Sequence, residues 1–287
     1  MKNLNEIKIV KDVTTDIERA FYGENQIKLL NCKFDGPLDG ESALKEAKNI
    51  YIEDCYFNLR YPFWHNNNLN IKNSELTDKC RAAIWYSNDI KINDSKLHGI
   101  KVFRECKDAF INNTSIDSKE CFWLCNHINI NNTTITTEYP FFQCNNIKID
   151  NLELHGKYSF QYCNNVIITN SNLDTKDAFW GSKDITVKNS TIKGEYLAWY
   201  AENLTLINCK IIGTQPLCYC KNLVLENCEM IDCDLSFEYS EVNATINGTI
   251  ESVKNPFSGK IIANDIKEII LDENFIDKGI EIINLKK

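Results

Sequence analysis

Four charged residues have the side-chain types that acid–base chemistry on a sugar requires: Lys101, Arg104, Asp117 and Glu120. Two carboxyl groups about 5 to 9.5 Å apart can cleave a glycosidic bond, and the candidate pairs are Asp117-x-x-Glu120 and Asp174-x-x-Asp177, which occupy the same two columns 57 residues apart. A lyase would instead need a base beside a neutralising cation, which Lys101 or Arg104 could supply. Neither pattern is specific, because acidic residues are common in turns and Lys101 with Glu120 is equally typical of an ordinary surface ion pair.

Aromatic residues recur at steps of 19 to 21 and define a second candidate site. The column, here the Trp column, contains Trp64, Trp85, Arg104, Trp123, Phe142, Gln161, Trp180, Trp199, Cys218 and Phe237. The residue before each member is mostly Phe, the residue after it is often Tyr, and a Cys or Ser often follows. We expect the Phe and Cys columns to point inward and the Trp and Tyr columns to be at least partly exposed, because strict alternation would bury Arg104 or Glu105.

An exposed aromatic strip favours ligand binding, and rings with polar tips suit sugars. The candidate ligand-binding residues are Arg81, Trp85, Tyr86, Trp123, Trp180 and Trp199. The alternative is that the Trp column packs inward and only fills volume.

The charged and aromatic candidates are expected to meet in one groove. Insertions near residues 36–42 and 77–81 lengthen two repeats on the same side of the predicted fold, and insertions often gather on a binding face. We therefore predict that Arg81, Lys101, Arg104 and Glu120 converge between Trp85 and Trp123. A guanidinium between two indoles can stack on both, so Arg104 serves either a ligand or the strip itself.

No metal ion and no cofactor are expected. The four histidines lack the spacing of a zinc site, and the sequence contains neither a Gly-rich phosphate loop nor His-Glu-x-x-His.

The elements that must position these residues follow from a repeat. Segments such as Asn49–Cys55, Asn165–Ser171 and Asn203–Cys209 share one template, and its first apolar residue, here called the marker, recurs from Ile27 to Val242 at steps of 23, 19, 21 and then 19. Aliphatic residues two apart predict a strand with one buried face. An Asn or Asp four residues after the marker predicts a side-chain ladder in an in-register stack. Units this short, rich in Asn and Ile, predict an all-β, right-handed parallel β-helix of about 12 coils of 19–23 residues.

One domain is expected, with residues 1–26 as an N-terminal cap, 27–260 as repeats and 261–287 as a C-terminal cap. The chain also resembles a bacterial family of unknown function, family 3737, whose members are pectin-lyase-like β-helices. The resemblance runs from about Arg19 to Ile270 and implies the fold but no catalytic residues. It rests on strings that include Glu41–Glu46, Arg81–Tyr86, Phe103–Cys106, Gly194–Trp199, Phe237–Ser240 and Ser252–Pro256.

Composition excludes several classes of protein. The net charge is −8 without a long basic run, which argues against a nucleic-acid partner. No apolar stretch approaches a membrane helix, so no membrane partner is expected. The segment Met1–Val10 lacks the apolar core of a secretion signal, which predicts a cytoplasmic location. Thirteen cysteines, an odd number, predict reduced thiols that act as small apolar filler.

Three functions remain open from the sequence. The first is a β-helix that binds a carbohydrate or similar ligand along the aromatic face. The second is a polysaccharide lyase or glycoside hydrolase with its site near Lys101, Arg104, Asp117 and Glu120. The third is a structural scaffold whose aromatic face contacts a protein partner or a second copy of the chain.

Overall fold

The computed structural model describes residues 7–286, which form a parallel β-solenoid of about 15 turns. No α-helix occurs in residues 7–286, and a single 3₁₀ turn spans Asp78–Cys80. None of these residues forms a helix that is long and apolar enough to cross a membrane. The chain divides into two compact units, the first ending at Glu138 and the second beginning at Tyr139.

Unit 1 comprises the described residues 7–138. Its strands are β1 (Lys8–Lys11), β2 (Thr14–Thr15), β3 (Asn25–Leu30), β4 (Lys33–Phe34), β5 (Lys48–Glu53), β6 (Tyr56–Phe57), β7 (Phe63–Trp64), β8 (Asn67–Lys72), β9 (Glu75–Leu76), β10 (Ile84–Trp85), β11 (Asn88–Asn93), β12 (Lys96–Lys101), β13 (Phe103–Arg104), β14 (Lys107–Asn112), β15 (Ser115–Trp123) and β16 (Asn126–Thr136).

Unit 2 comprises the described residues 139–286. Its strands are β17 (Tyr139–Phe142), β18 (Asn145–Lys157), β19 (Asn164–Thr169), β20 (Asn172–Lys176), β21 (Lys183–Lys188), β22 (Thr191–Lys193), β23 (Glu202–Ile207), β24 (Lys210–Ile212), β25 (Leu223–Ile231), β26 (Glu241–Lys254), β27 (Ser258–Ile270) and β28 (Ile280–Asn284).

The marker residues stack in parallel within each unit, as the repeat predicts. In unit 1, Ile50 lies opposite Ile27 and Leu69, and in unit 2, Val166 lies opposite Ile147 and Ile185. The marker and the residue two positions later are buried in each of these strands. Alternation of apolar residues therefore builds the core, because one face of every strand points into the solenoid.

The Asn ladder has a backbone cause that the repeat alone does not reveal. Asn31, Asn73, Asp94 and Asn113 all adopt positive φ, between 46° and 53°. This left-handed conformation is unfavourable for most L-residues and is best tolerated by Asn, Asp and Gly. The side chains then pair between turns, and Asn113 Nδ2 donates to Asp94 Oδ1 at 2.7 Å. Asn is therefore favoured at this corner by both its backbone and its amide.

Both segments predicted to be caps contain turns of the solenoid, which is why about 15 turns replace the predicted 12. At the start, β1 pairs in parallel with β3 and β2 pairs with β4. At the end, β27 pairs with β26 and β28 pairs with β27. Residues 1–6 of the predicted N-terminal cap lie outside the described residues. The repeat does not reveal these three turns because the marker positions of two of them are Lys8 and Gly259, which are not aliphatic, and the third marker, Ile280, stands off the 19-residue period.

The predicted Trp column is wrong at its last member. The Tyr200 N–H donates to the carbonyl of Cys218, but in the next turn the Tyr219 N–H donates to the carbonyl of Glu238. A one-residue insertion therefore places Glu238, not Phe237, after Cys218. Phe237 instead joins the Phe column and is fully buried.

The inner column of phenylalanines forms stacked rings within each unit. Phe103 and Phe122 lie 4.5 Å apart between ring centroids, and Phe141 and Phe160 lie 4.6 Å apart, with nearly parallel planes. The turn spacing of about 4.8 Å favours this arrangement, because it matches the distance between stacked rings in successive turns.

All thirteen cysteines are buried thiols, in agreement with the predicted role as filler. Most of them donate to a backbone carbonyl, as Cys163 does to Phe141. Burial raises the pKa of Cys80 and of Cys220 to about 12. These thiols are therefore protonated and poorly nucleophilic at neutral pH.

The first prediction tests the left-handed corner. Asn113→Ala should lower the free energy of unfolding by about 1–3 kcal/mol, because alanine is strained at this φ and the hydrogen bond to Asp94 is lost. Asn113→Gly loses the same hydrogen bond without the strain and should be less destabilising. Urea denaturation measures both variants. Equal losses for alanine and glycine would show that the backbone conformation is not the cause.

The second prediction concerns the thiols. Without reductant, the native protein should react slowly with a thiol reagent such as Ellman's reagent, because all thirteen thiols are buried. After denaturation about thirteen groups per chain should react at once. A much lower count after denaturation would show that disulfides form, contrary to the sequence prediction.

Candidate functional site

The candidate site lies at a sharp corner of the solenoid. Within each turn the Phe and Cys columns are buried, whereas Trp64, Trp85, Trp180 and Trp199 are partly exposed. Residues of the Tyr column adopt positive φ, for example 56° at Tyr86. This conformation breaks strict alternation, so residues three positions apart, such as Phe103 and Cys106, both point inward. The predicted bent corner is therefore present.

The indole faces of unit 1 are already occupied. Trp64 and Trp85 stack at 5.1 Å with planes 3° apart. The Lys45 ammonium lies 5.4 Å from the Trp64 ring, and the Arg104 guanidinium lies 5.2 Å from the Trp85 ring. Each indole N–H donates to a backbone carbonyl of the adjacent turn, that of Ala82 or Lys101. A sugar can therefore contact the edges of these two rings but cannot stack on their faces without displacing a cation.

A cleft of about 270 Å³ opens beside these edges. It is lined by Tyr61, Trp64, Arg81, Ala82, Trp85, Ile100 and Lys101.

The two-residue insertion shapes this cleft. The 3₁₀ turn ends at Arg81, whose carbonyl accepts hydrogen bonds from the N–H groups of Ile100 (3.1 Å) and Lys101 (3.0 Å). The contact depends on Gly99, because a Cβ there would lie 2.7 Å from the Arg81 oxygen. The insertion thus fixes Arg81 against the strand that carries Lys101.

The cleft carries an excess of positive charge. Lys101 pairs with Glu120 at 3.1 Å, and the Glu120 side chain is only 16% exposed. The Lys101 ammonium also lies 5.9 Å from the Trp123 ring. Arg81 is exposed and forms no ion pair with any residue in 7–286. Lys101 is therefore neutralised and Arg81 is not.

The predicted groove is only partly assembled. Arg81, Lys101 and Trp85 line the cleft, and Glu120 joins it through Lys101. Arg104 lies over the face of Trp85 opposite Trp64, where its 31%-exposed side chain contacts Glu105 at 3.4 Å.

Two further candidates of unit 1 lie elsewhere. Asp117 is exposed, lies opposite His98 in the neighbouring strand and, like Glu120, does not line the cleft. Tyr86 stacks on His65 at 4.9 Å.

Unit 2 contains the other predicted aromatic residues. Trp180 and Trp199 lie 5.6 Å apart with their planes tilted by 34°, and Trp199 Nε1 donates to the carbonyl of Gln215. Gln161, which interrupts the Trp column, donates its amide to the carbonyl of Asp177. Gln161 thus makes the same contact as an indole N–H, which gives it a structural role.

Four cleft residues, Tyr61, Trp64, Ala82 and Ile100, are not among the predicted site residues, although Trp64 belongs to the Trp column. A signal for Tyr61 was present. Tyrosines stand three residues before the Trp column at positions 61, 139, 158 and 196. At this corner, residues three positions apart, such as Tyr61 and Trp64, lie on the same exposed side.

Comparison with known proteins identifies a family but no activity. A family model described as "Protein of unknown function (DUF3737)" matches residues 8–283. No curated protein matches the chain.

Solved structures show remote likeness. The A-module of mannuronan C-5 epimerase AlgE6 from Azotobacter vinelandii is 11% identical, with 84% of this chain and 88% of that chain covered and a TM-score of 0.37. The pentapeptide repeat protein HetL from Nostoc sp. strain PCC 7120 is 14% identical, with 78% and 89% covered and a TM-score of 0.28. Likeness at this level carries no argument about function.

The third prediction tests the role of Arg104. Arg104→Met should lower the melting temperature by only about 2–4 °C, because a partly exposed cation–π contact contributes about 1 kcal/mol or less. Arg104→Trp should restore the melting temperature of the wild-type protein, since an indole continues the stack on Trp85. Thermal denaturation monitored by circular dichroism measures both variants. A loss several times larger in Arg104→Met would mean that the guanidinium holds the corner together.

Proposed function

Because the chain belongs to the DUF3737 family of proteins of unknown function, we propose a function from its own cleft: the protein binds a small acidic saccharide beside Arg81. The observation that carries the proposal is the unpaired Arg81 in a cleft walled by aromatic rings.

The charge of the cleft selects the ligand. Arg81 and Lys101 are the cations of the lining, and no acidic residue belongs to it. Glu120 neutralises Lys101, so one net positive charge remains in a protein whose overall charge is −8. A planar guanidinium binds a carboxylate through two parallel hydrogen bonds. An anionic group of the ligand therefore belongs at Arg81.

The walls select a ring of modest size. Tyr61, the edges of Trp64 and Trp85, and the exposed side chain of Ile100 present apolar surface. A volume of about 270 Å³ is just below the usual range for drug-sized ligands, about 300–1,000 Å³. One or two sugar rings fit this space, with apolar ring faces against the aromatic side chains and hydroxyl groups toward solvent.

Two alternatives retain specific support. The interlocked Trp column, with its faces and N–H groups satisfied internally, favours a structural scaffold. The contact between Lys101 and Glu120 offers a base beside a cation, as a lyase requires. Binding without chemistry is preferred because neither carboxyl group of the predicted pair, Asp117 or Glu120, lines the cleft. A cytoplasmic location stays a prediction of the sequence.

The fourth prediction tests the cleft with glucuronate as the acidic probe and glucose as the neutral one. Glucuronate should change the tryptophan fluorescence of the wild-type protein, because Trp64 and Trp85 line the cleft. Arg81→Gln should weaken glucuronate binding by about 10- to 100-fold, which corresponds to the 1.5–3 kcal/mol of a charged hydrogen bond.

The matched control is Lys79→Gln, which removes an exposed cation from the same 3₁₀ turn but not from the cleft. It should leave glucuronate binding unchanged. An equal loss of glucuronate affinity in both variants would show that any nearby positive charge, and not Arg81 in particular, is responsible. No response of the wild-type protein to millimolar glucuronate would contradict the proposal and favour the scaffold. Turnover of glucuronate-containing oligosaccharides, seen in product analysis, would favour the lyase.

A further inference from the structure

A second cluster in unit 2 interrupts an aromatic column with a carboxyl group. The column three residues before the Trp column contains Tyr139, Tyr158, Asp177 and Tyr196, and the rings of Tyr139 and Tyr158 stack at 5.0 Å. The Tyr158 N–H donates to the carbonyl of Lys176, and the Asp177 N–H donates to that of Glu195. These bonds place Asp177 directly between Tyr158 and Tyr196 in successive turns.

The spacing of the turns leaves a slot at this point. Turns about 4.8 Å apart place the Tyr158 and Tyr196 positions about 9.6 Å apart. A shorter side chain stands between them, so one small group can contact both rings. A cation at the middle of the slot would be about 5 Å from each ring, within the range of about 6 Å for cation–π attraction.

The carboxyl group of Asp177 is poorly satisfied. Asp177 is only 8% exposed, and its side chain makes no hydrogen bond or ion pair with any residue between 7 and 286. Burial raises its pKa, and the nearby Lys176 opposes this effect. Its carboxyl oxygens still reach solvent, so an incoming cation can pair with them. The positive φ of 51° at this corner would accept Asn equally well, so the backbone does not explain the charge.

The protein's own lysine shows which group the slot accepts. The Lys176 ammonium lies 5.3 Å from the centroid of the Tyr196 ring and 3.0 Å from Glu195. Its side chain is 43% exposed, so it can move into solvent. An ammonium group is therefore already accommodated against this ring, beside two carboxyl groups.

We infer that unit 2 holds a second ligand site, in which the primary ammonium of a small ligand such as an amino sugar displaces Lys176 and binds between Tyr158 and Tyr196, with Asp177 as its counter-ion. Two rings and a carboxyl group are the usual elements of ammonium recognition. The site does not depend on the cleft of unit 1, because the two use different residues and ligands of opposite charge.

The fifth prediction tests this site with glucosamine at a pH where its amine is protonated, and with glucose and N-acetylglucosamine as neutral probes. Lys176→Met removes the competing ammonium and frees Glu195, so it should bind glucosamine at least 10-fold more tightly than the wild-type protein. Neither neutral sugar should bind comparably. Adding Asp177→Asn to Lys176→Met should weaken glucosamine binding at least 10-fold. Isothermal titration calorimetry measures each affinity.

Two controls separate binding from folding and from the unit 1 cleft. Asp174→Asn, which removes an exposed carboxyl group paired with Lys193, should not affect glucosamine binding, and neither should Arg81→Gln. Asp177→Asn should melt at the same or a higher temperature, because it removes a buried charge without a partner. Failure of Lys176→Met to bind glucosamine, equal binding of glucose, or indifference to Asp177→Asn would each overturn the inference.

Discussion

In a parallel, in-register solenoid, each residue lies over its equivalent in the next turn, about 4.8 Å away. This constraint selects side chains that attract the residue above and below them. Asparagines pair through their amides, as Asn227 does with Asn208. Rings stack face to face, and lysines alternate with acids, as Lys183 does with Glu202 and Lys210 with Glu229. Each column is therefore a ladder that stabilises the stack, with exposed ion pairs contributing little singly.

Much of the fold could be predicted from the sequence, because residues that stack in successive turns recur at a fixed spacing along the chain. A fixed period, an alternation of two and a recurring Asn specify parallel strands in register, and the markers stack as expected. What escaped prediction were departures from the period. Three turns were missed, because Lys8 and Gly259 are not aliphatic and Ile280 stands off the 19-residue period, and a one-residue insertion shifted Phe237. A periodic pattern cannot locate an insertion to a single residue, because hydrogen bonds between turns decide where the extra residue lies.

The candidate site could be predicted only in part, for a related reason. Spacing brought Arg81, Trp85 and Lys101 to one side of the solenoid, and all three line the cleft. The spacing does not show which of these side chains are already occupied by ion pairs and which can contact a ligand. Lys101 is neutralised by a glutamate 19 residues away, whereas Arg81, which follows the inserted 3₁₀ turn, forms no ion pair with the described residues. Tyr61 was missed because its column contains Lys, Glu and Asp as well as Tyr.

Where stacked side chains contact one another and bond to the backbone, few of their faces and polar groups remain for a ligand. The stacked indoles of unit 1 expose edges rather than faces, and their N–H groups are bound to backbone carbonyls, so the regular part of the aromatic strip is a poor binding surface. Both proposed binding sites lie where a column is broken by a residue that its neighbours do not pair with. Arg81 follows an insertion, and Asp177 replaces a ring between two tyrosines. Gln161 also breaks a column but restores the missing hydrogen bond, which shows that an interruption alone is not sufficient. The decisive feature is an interruption that leaves a charge without a partner.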